Sequence, residues 1–383
     1  MMMSPRLFRV ALLALSTASP AFAQSDTTRS TPALKDAFHG TFRIGTALAP
    51  RQFNGDDKRV GSLIRTHFNA ISPENVLKWE VVHPLPDIYN FGLSDRYVEF
   101  GEKNGMFIVG HTLAWHSQTP RWVFEDSTGK PLTRAALLQR LHEHIEIVVG
   151  RYKGRVNGWD VVNEALNEDG TLRNTPWLRI IGPDFIEKAF QFAHEADPGA
   201  ELYYNDYALE NANKRRGCVK LISGLLAKGI KVTAIGMQDH LKMNWPTVAE
   251  EDSTISAFSA LGVKVNITEL DVDVLPPATR STGADVSQRA VRTASLDPYT
   301  AGLPDSVQQA LASRYEEVFR VFMSHRAAID RITFWGVTDG DSWLNGWPVP
   351  GRTSHPLLLD RAGKPKPAFH RVVGVAAEST SAR

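Results

Sequence analysis

The chain has 383 residues, with 43 basic and 42 acidic side chains for a formal charge of +1, 43% hydrophobic residues and a single cysteine. So even a balance offers no electrostatic footprint for nucleic acid or an anionic membrane surface, and a neutral or weakly charged partner is expected. One cysteine, Cys218, cannot form an internal disulfide, so stability must come from a large core; its helical surroundings predict a buried, inert thiol.

Residues 1–23 read as a signal peptide: Arg6 and Arg9 precede an apolar run that ends at Ala21-Phe22-Ala23, a small-x-small cleavage pattern. Secretion, to the periplasm or beyond, is therefore expected, with no membrane anchor because no later stretch approaches roughly 20 apolar residues. Residues 24–32 read as a flexible segment, 33–376 as one catalytic domain and 377–383 as a flexible tail. Across that domain, eight β-rich runs begin at residues 43, 69, 106, 155, 201, 232, 263 and 331. Amphipathic stretches at 133–150, 182–196, 213–229 and 306–328 fall between runs. Strand then helix, repeated eight times without a linker, predicts a single (β/α)8 TIM barrel. The longest irregular connection, 276–302, follows the seventh run and is expected to be a functional rim or partly disordered.

Active sites of this fold collect at the C-terminal ends of the strands. The second run ends in Glu74 and Asn75, followed by Lys78; the third in His111, Trp115, His116 and Gln118; the fourth in Asn163 and Glu164. The fifth ends in Asn205, Asp206 and Tyr207, the sixth in Gln238 and His240, the seventh in Glu269 and Asp271, and the eighth in Trp335 with Trp343 beyond. Any one of these carboxylates can simply cap a helix or pair with a lysine. Glu164 and Glu269, three βα units apart, instead face each other across a barrel mouth. Two such carboxylates are the minimum for breaking a glycosidic bond, one as acid and base, the other as nucleophile. Because neighbouring strand residues point to opposite faces, Asn163 and Glu164 reach one site only if a bulge or terminal twist re-aims one of them. Asp271 projects to the same side as Glu269, so a Glu269–His240–Asp271 line is expected, with the histidine favouring the ionised form of Glu269.

Trp335 and Trp343 are expected to contact substrate, whereas Trp79 and Trp122 are assigned to the core. His111 and His116 with Glu74 or Asp206 make poor zinc chemistry, and no HExxH or HxH pattern occurs, so neither metal nor cofactor is expected. The sequon at Asn266 falls inside a strand, which argues against glycosylation.

Taken together, GHTLAWHSQTPRW, WDVVNEA and ITELD closely resemble glycoside hydrolase family 10, the endo-β-1,4-xylanases, over about residues 33–375. The resemblance implies a retaining enzyme with Glu164 as acid/base, Glu269 as nucleophile and Asn163 as partner of the substrate 2-hydroxyl. It implies that Glu74, Asn75, Lys78, His111, Trp115, Gln118, Gln238, His240, Trp335 and Trp343 line sugar subsites on the non-reducing side, with Asn205 and Tyr207 towards the reducing side. Xylan and xylo-oligosaccharides are the implied partners, and a monomer is expected. The rival expectations are a barrel that binds sugar without catalysis, and a cellulase or mannanase sharing the two glutamates.

Overall fold

Among the described residues nine strands run in chain order: β1 (Arg43–Leu48), β2 (Ala70–Pro73), β3 (Phe107–Ala114), β4 (Gly158–Asn163), β5 (Glu201–Asp206), β6 (Ala234–Met237), β7 (His240–Lys242), β8 (Lys264–Asp273) and β9 (Ile329–Phe334). The computed structural model describes residues 1, 31–278 and 289–381. The chain divides into two units after Thr31, and the strands belong to the second. The expected signal peptide, and nearly all of the 24–32 segment, lie outside the described residues.

All strand pairings are parallel, in the order β1 to β6, then β8 and β9, with β9 returning to β1. This is the predicted (β/α)8 barrel. The one surplus strand arises because the run from 232 breaks at Asp239: β6 belongs to the barrel wall, while the short β7 pairs only with the outer end of β8. Every strand is buried on both faces, apart from residues near the ends, as expected where helices cover the outside and side chains fill the inside. Packing is tight. A Cβ at Gly110 would lie 2.1 Å from the Trp159 ring, so the indole on β4 fills the space that glycine leaves on β3.

The helices begin where side chains satisfy their free amides. Thr133 caps Arg134–Arg151 by accepting from the Ala136 N–H, and Thr247 with Glu250 forms a capping box on Val248–Ser259. The stretch predicted at 182–196 starts at Phe185 and is preceded by a separate short helix, Pro176–Ile181, which Gly182 terminates at φ 103°. The last helix, Pro367–Ser381, extends into the segment expected to be a flexible tail, and Glu378 pairs with Arg320 there. Cys218 is fully buried, and burial holds its thiol pKa well above the ordinary value, consistent with an inert group. Asn266 is buried within β8. Among the described residues no helix is long and apolar enough to cross a membrane.

Candidate active site

The strand ends converge on a cleft of about 630 Å³. Fifteen of the sixteen expected site residues line it: Glu74, Asn75, Lys78, His111, Trp115, Gln118, Asn163, Glu164, Tyr207, Gln238, His240, Glu269, Asp271, Trp335 and Trp343.

The backbone explains how neighbours on one strand reach the same space. The register of β4 slips between Asp160 and Val162, and Glu164 adopts φ 58°, its N–H donating to the Asn205 carbonyl at 2.9 Å. The terminal twist required for Asn163 and Glu164 to share the mouth is therefore present. A second slip in β8, between Ile267 and Leu270, presents Glu269. Among the described residues the non-glycine positions with positive φ are Gln118, Glu164, Ala208 and Asp239. Three line the cleft and the fourth lies between two residues that do. Backbone strain is thus concentrated at the mouth.

Glu269 is held from two sides. Asn205 Nδ2 donates to its Oε1 at 2.9 Å, and His240 Nε2 lies 3.2 Å from its Oε2. His240 Nδ1 lies 3.1 Å from Asp271 Oδ1, while the Trp343 indole N–H donates to the other Asp271 oxygen at 2.8 Å. The Glu269–His240–Asp271 line is thus present in the geometry. Burial disfavours a charge on His240, but Asp271 and Glu269 outweigh it and push its pKa up to about 10. Burial also works against ionised Glu269, yet the hydrogen bond from His240, the charges of His111 and His240, and the Asn205 amide bring its pKa below the ordinary carboxylate value.

Glu164 meets two neutral donors instead, the Trp115 indole N–H at 2.9 Å on Oε2 and Gln238 Nε2 at 3.0 Å on Oε1. Arg173 Nε donates to its backbone carbonyl at 3.0 Å and Nη2 to the Tyr207 hydroxyl at 2.8 Å, tying Tyr207 to the same turn. Lys78 Nζ, 5.0 Å from the Trp115 ring centroid, donates to Asn75 at 3.0 Å and Gln118 at 2.8 Å. Burial lowers the Lys78 pKa, with Glu269, Glu74 and Glu164 opposing it, and burial raises that of Glu74, with Lys78 opposing.

Asn205, expected as a substrate-binding or supporting residue towards the reducing side, is fully buried and absent from the cleft lining. It bridges Glu269 and Asn163 from beneath, its Oδ1 lying 2.6 Å from Thr268 Oγ1. Gly236 makes room for it, since a Cβ there would stand 2.4 Å from that same Oδ1. Trp79 is buried against His144 at 3.6 Å between ring centroids, and Trp122 packs on Trp79, both as assigned.

Several lining residues were missed: Glu80, Ala208, Lys242, Trp245, Arg289, Leu344 and Trp347. Trp245 and Trp347 each precede a proline on a post-strand loop, a pattern that could have marked them. Trp347 stacks on Trp343 with centroids 4.9 Å apart, extending the aromatic floor. Arg289 brings the described end of the 276–302 connection into the cleft wall, which favours the rim over the disordered alternative for that part; residues 279–288 lie outside the described residues. Behind the cleft, Glu210, Asp239 and Glu251 form a buried group of carboxylates that sequence reasoning did not anticipate.

Comparison with known proteins agrees with this geometry. The chain matches the model of glycosyl hydrolase family 10 over residues 33–375. It is 45% identical over 342 residues to endo-1,4-beta-xylanase A of Xylanibacter ruminicola, covering 89% of this chain and 93% of that protein. It is 35% identical over 383 residues to a thermostable celloxylanase of Thermoclostridium stercorarium, covering 96% of this chain and 94% of the relative. Among solved structures, a GH10 endoxylanase from a sugarcane soil metagenome superposes with a TM-score of 0.87 at 45% identity, covering 90% of this chain and all of that one. The chain belongs to glycosyl hydrolase family 10.

Proposed function

We propose that the protein is an endo-β-1,4-xylanase that cleaves internal bonds of xylan with retention of configuration. The observation that carries the mechanism is the unlike treatment of the two carboxylates: Glu269 is held ionised by a protonated histidine, while Glu164 is held by neutral donors. In the first step Glu269 attacks the anomeric carbon as Glu164 gives its proton to the departing glycosidic oxygen, leaving a glycosyl ester on Glu269. In the second, Glu164 takes a proton from water, which attacks the same carbon from the face the leaving group vacated and frees Glu269. Two inversions give net retention, which calls for carboxylates about 5 to 5.5 Å apart.

Xylan as substrate is supported by the relatives, which are xylanases by name over nearly the full domain. The stacked Trp343–Trp347 pair and Trp335 offer flat faces to sugar rings, and Glu74, Asn75 and Lys78 offer polar groups at one end. The celloxylanase relative favours a second reading, in which β-1,4-glucan is a minor substrate. The proposed site of action is outside the cytoplasm, after removal of residues 1–23, and the proposed working unit is a monomer. Reducing-sugar release from xylan, cellulose and mannan, measured side by side, tests the substrate. Proton NMR of the first product tests the stereochemistry: the β-anomer is expected, and the α-anomer would remove Glu269 as nucleophile.

A further inference from the structure

Asp239 separates Gln238 from His240, and those two neighbours touch Glu164 and Glu269 respectively. The residue itself turns the other way. It adopts φ 56°, a left-handed conformation in an acidic residue, and is 1% exposed. Backbone bonds weld the turn to its surroundings: the Glu269 N–H donates to the Gln238 carbonyl at 2.9 Å, and the Gln238 N–H to the Asp206 carbonyl at 3.0 Å. A displacement of Asp239 therefore reaches both glutamates at once.

Its carboxyl meets Glu210, from the loop after β5, and Glu251, from the helix Val248–Ser259, with one oxygen of each group within 4.8 Å of the others. Glu210 and Glu251 are each 1% exposed. Among the described residues, neither oxygen of Asp239 or Glu251 finds a hydrogen-bond donor. The cations facing the group are committed to other partners. Lys214 Nζ lies 2.8 Å from Asp206 and 3.4 Å from the Tyr207 ring centroid, and Arg314 donates to the carbonyls of Lys242 and Pro246. Arg215 donates to the backbone carbonyls of Glu210 and Glu250 and to Thr254 Oγ1, and Glu250 caps its own helix. Three buried carboxylates at this separation cannot all ionise, and only protons held between them supply the missing donors.

We propose that Asp239 is a positioning residue, whose carboxyl shares protons with Glu210 and Glu251 behind the barrel wall and thereby holds the turn that aims Gln238 at Glu164 and His240 at Glu269. This rests on the roles proposed above for those two glutamates. Burial, and then the neighbouring carboxylates, raise the pKa of Asp239, and burial carries that of Glu251 up to about 8. An acid whose folded pKa is raised contributes stability that is complete below its unfolded value and is lost as pH rises through the folded one, so this anchor weakens between about pH 4.5 and 8 and beyond.

The experiment compares D239A, D239N and E251Q with the wild-type enzyme, using kcat/KM against pH on an aryl xylobioside and melting midpoints at acid and alkaline pH. Asparagine tolerates the left-handed region and donates hydrogen bonds without a shared proton. D239A is expected to lower kcat by ~10- to 100-fold through misplacement of both neighbours, and to move the acid limb of the profile to higher pH as His240 loosens from Glu269. D239N is expected to return the limb towards the wild-type position. D239N and E251Q should both shrink the alkaline fall in melting midpoint. A D239A enzyme that melts lower while its acid limb and kcat stay unchanged would leave Asp239 a purely structural residue and overturn the inference. So would a wild-type melting midpoint raised by calcium and lowered by EDTA in a manner abolished by D239N, which would make the group a cation site. If D239A does not fold, an alkaline fall as large in D239N and E251Q as in wild type overturns it. A wild-type profile with no acid limb at all would instead count against the role given to Glu269.

Discussion

Glu164 and Glu269 share a cleft and a residue type, yet their surroundings differ in kind. Glu269 accepts from a charged histidine on β7, backed by Asp271 of β8 itself, and from the buried Asn205 amide on β5, one strand beyond β6. Glu164 sits on a left-handed residue beyond its strand and accepts from an indole and an amide, neither of which carries charge. The contrast matches the two jobs proposed for them. Fixed positive charge commits a carboxylate to remaining ionised, whereas neutral donors orient a carboxylate and leave it free to gain and lose a proton as the charge beside it changes.

The comparison breaks first at Glu269. Glu269→Gln removes the proposed nucleophile, and turnover of every substrate should fall to background; residual activity equal on all substrates would mean another residue attacks the anomeric carbon. Glu164→Ala should be selective instead. A loss of ~10²- to 10⁴-fold is expected on xylan, with a much smaller loss in the first step for aryl glycosides whose leaving groups need no proton. Azide should then rescue turnover and yield a β-glycosyl azide; equal losses on both substrate classes would take the acid role from Glu164.

Specificity sharpens the comparison at Glu74, Asn75 and Lys78. Xylose lacks the hydroxymethyl group of glucose, and excluding one group of that size is worth about 1 to 3 kcal/mol, or roughly 10- to 200-fold. Aryl cellobiosides should therefore be cleaved at a small but measurable fraction of the rate on aryl xylobiosides, and trimming Trp335 or Trp343 should narrow the gap. Equal wild-type rates would set aside the pentose-shaped subsite.

The smallest effect concerns His240. Removing its positive charge in His240→Gln should raise the pKa of Glu269, so the acid limb of kcat/KM moves to higher pH, and activity at a fixed pH on that limb drops about tenfold for every pH unit the limb moves. The wild-type ion pair also has a stability signature. The folded pKa of His240 is raised to about 10, so its contribution is complete below the unfolded value near 6.5 and fades as pH climbs through 10. Melting midpoints of wild type and variant should therefore converge with increasing pH, and a gap independent of pH would deny that His240 is charged in the folded protein.

Much of this was legible in the chain itself. Strand and helix periodicity alternate eight times, and parallel strands buried on both faces read as apolar runs, so the barrel and the ends of its strands follow from local pattern. Residues at those ends, Glu164 and Glu269 among them, inherit a shared location from the topology, and the i, i+2 spacing of Glu269 and Asp271 puts both beside His240 on pattern alone. What only the tertiary structure decided lies where the backbone departs from that periodicity or where contacts join distant loops. The left-handed turns at Glu164 and Asp239 involve no glycine and leave no mark in the sequence. Asn205 occupies a strand end like its neighbours, yet Gly236 across the sheet lets it sink beneath Glu269, and that exchange of volume is visible only in three dimensions. Glu210, Asp239 and Glu251 come from three separate segments, and nothing local to any of them announces the burial that brings their carboxyls together. Periodicity records which face a residue takes; the partner it meets there depends on how loops far apart in sequence fold over the same strand ends.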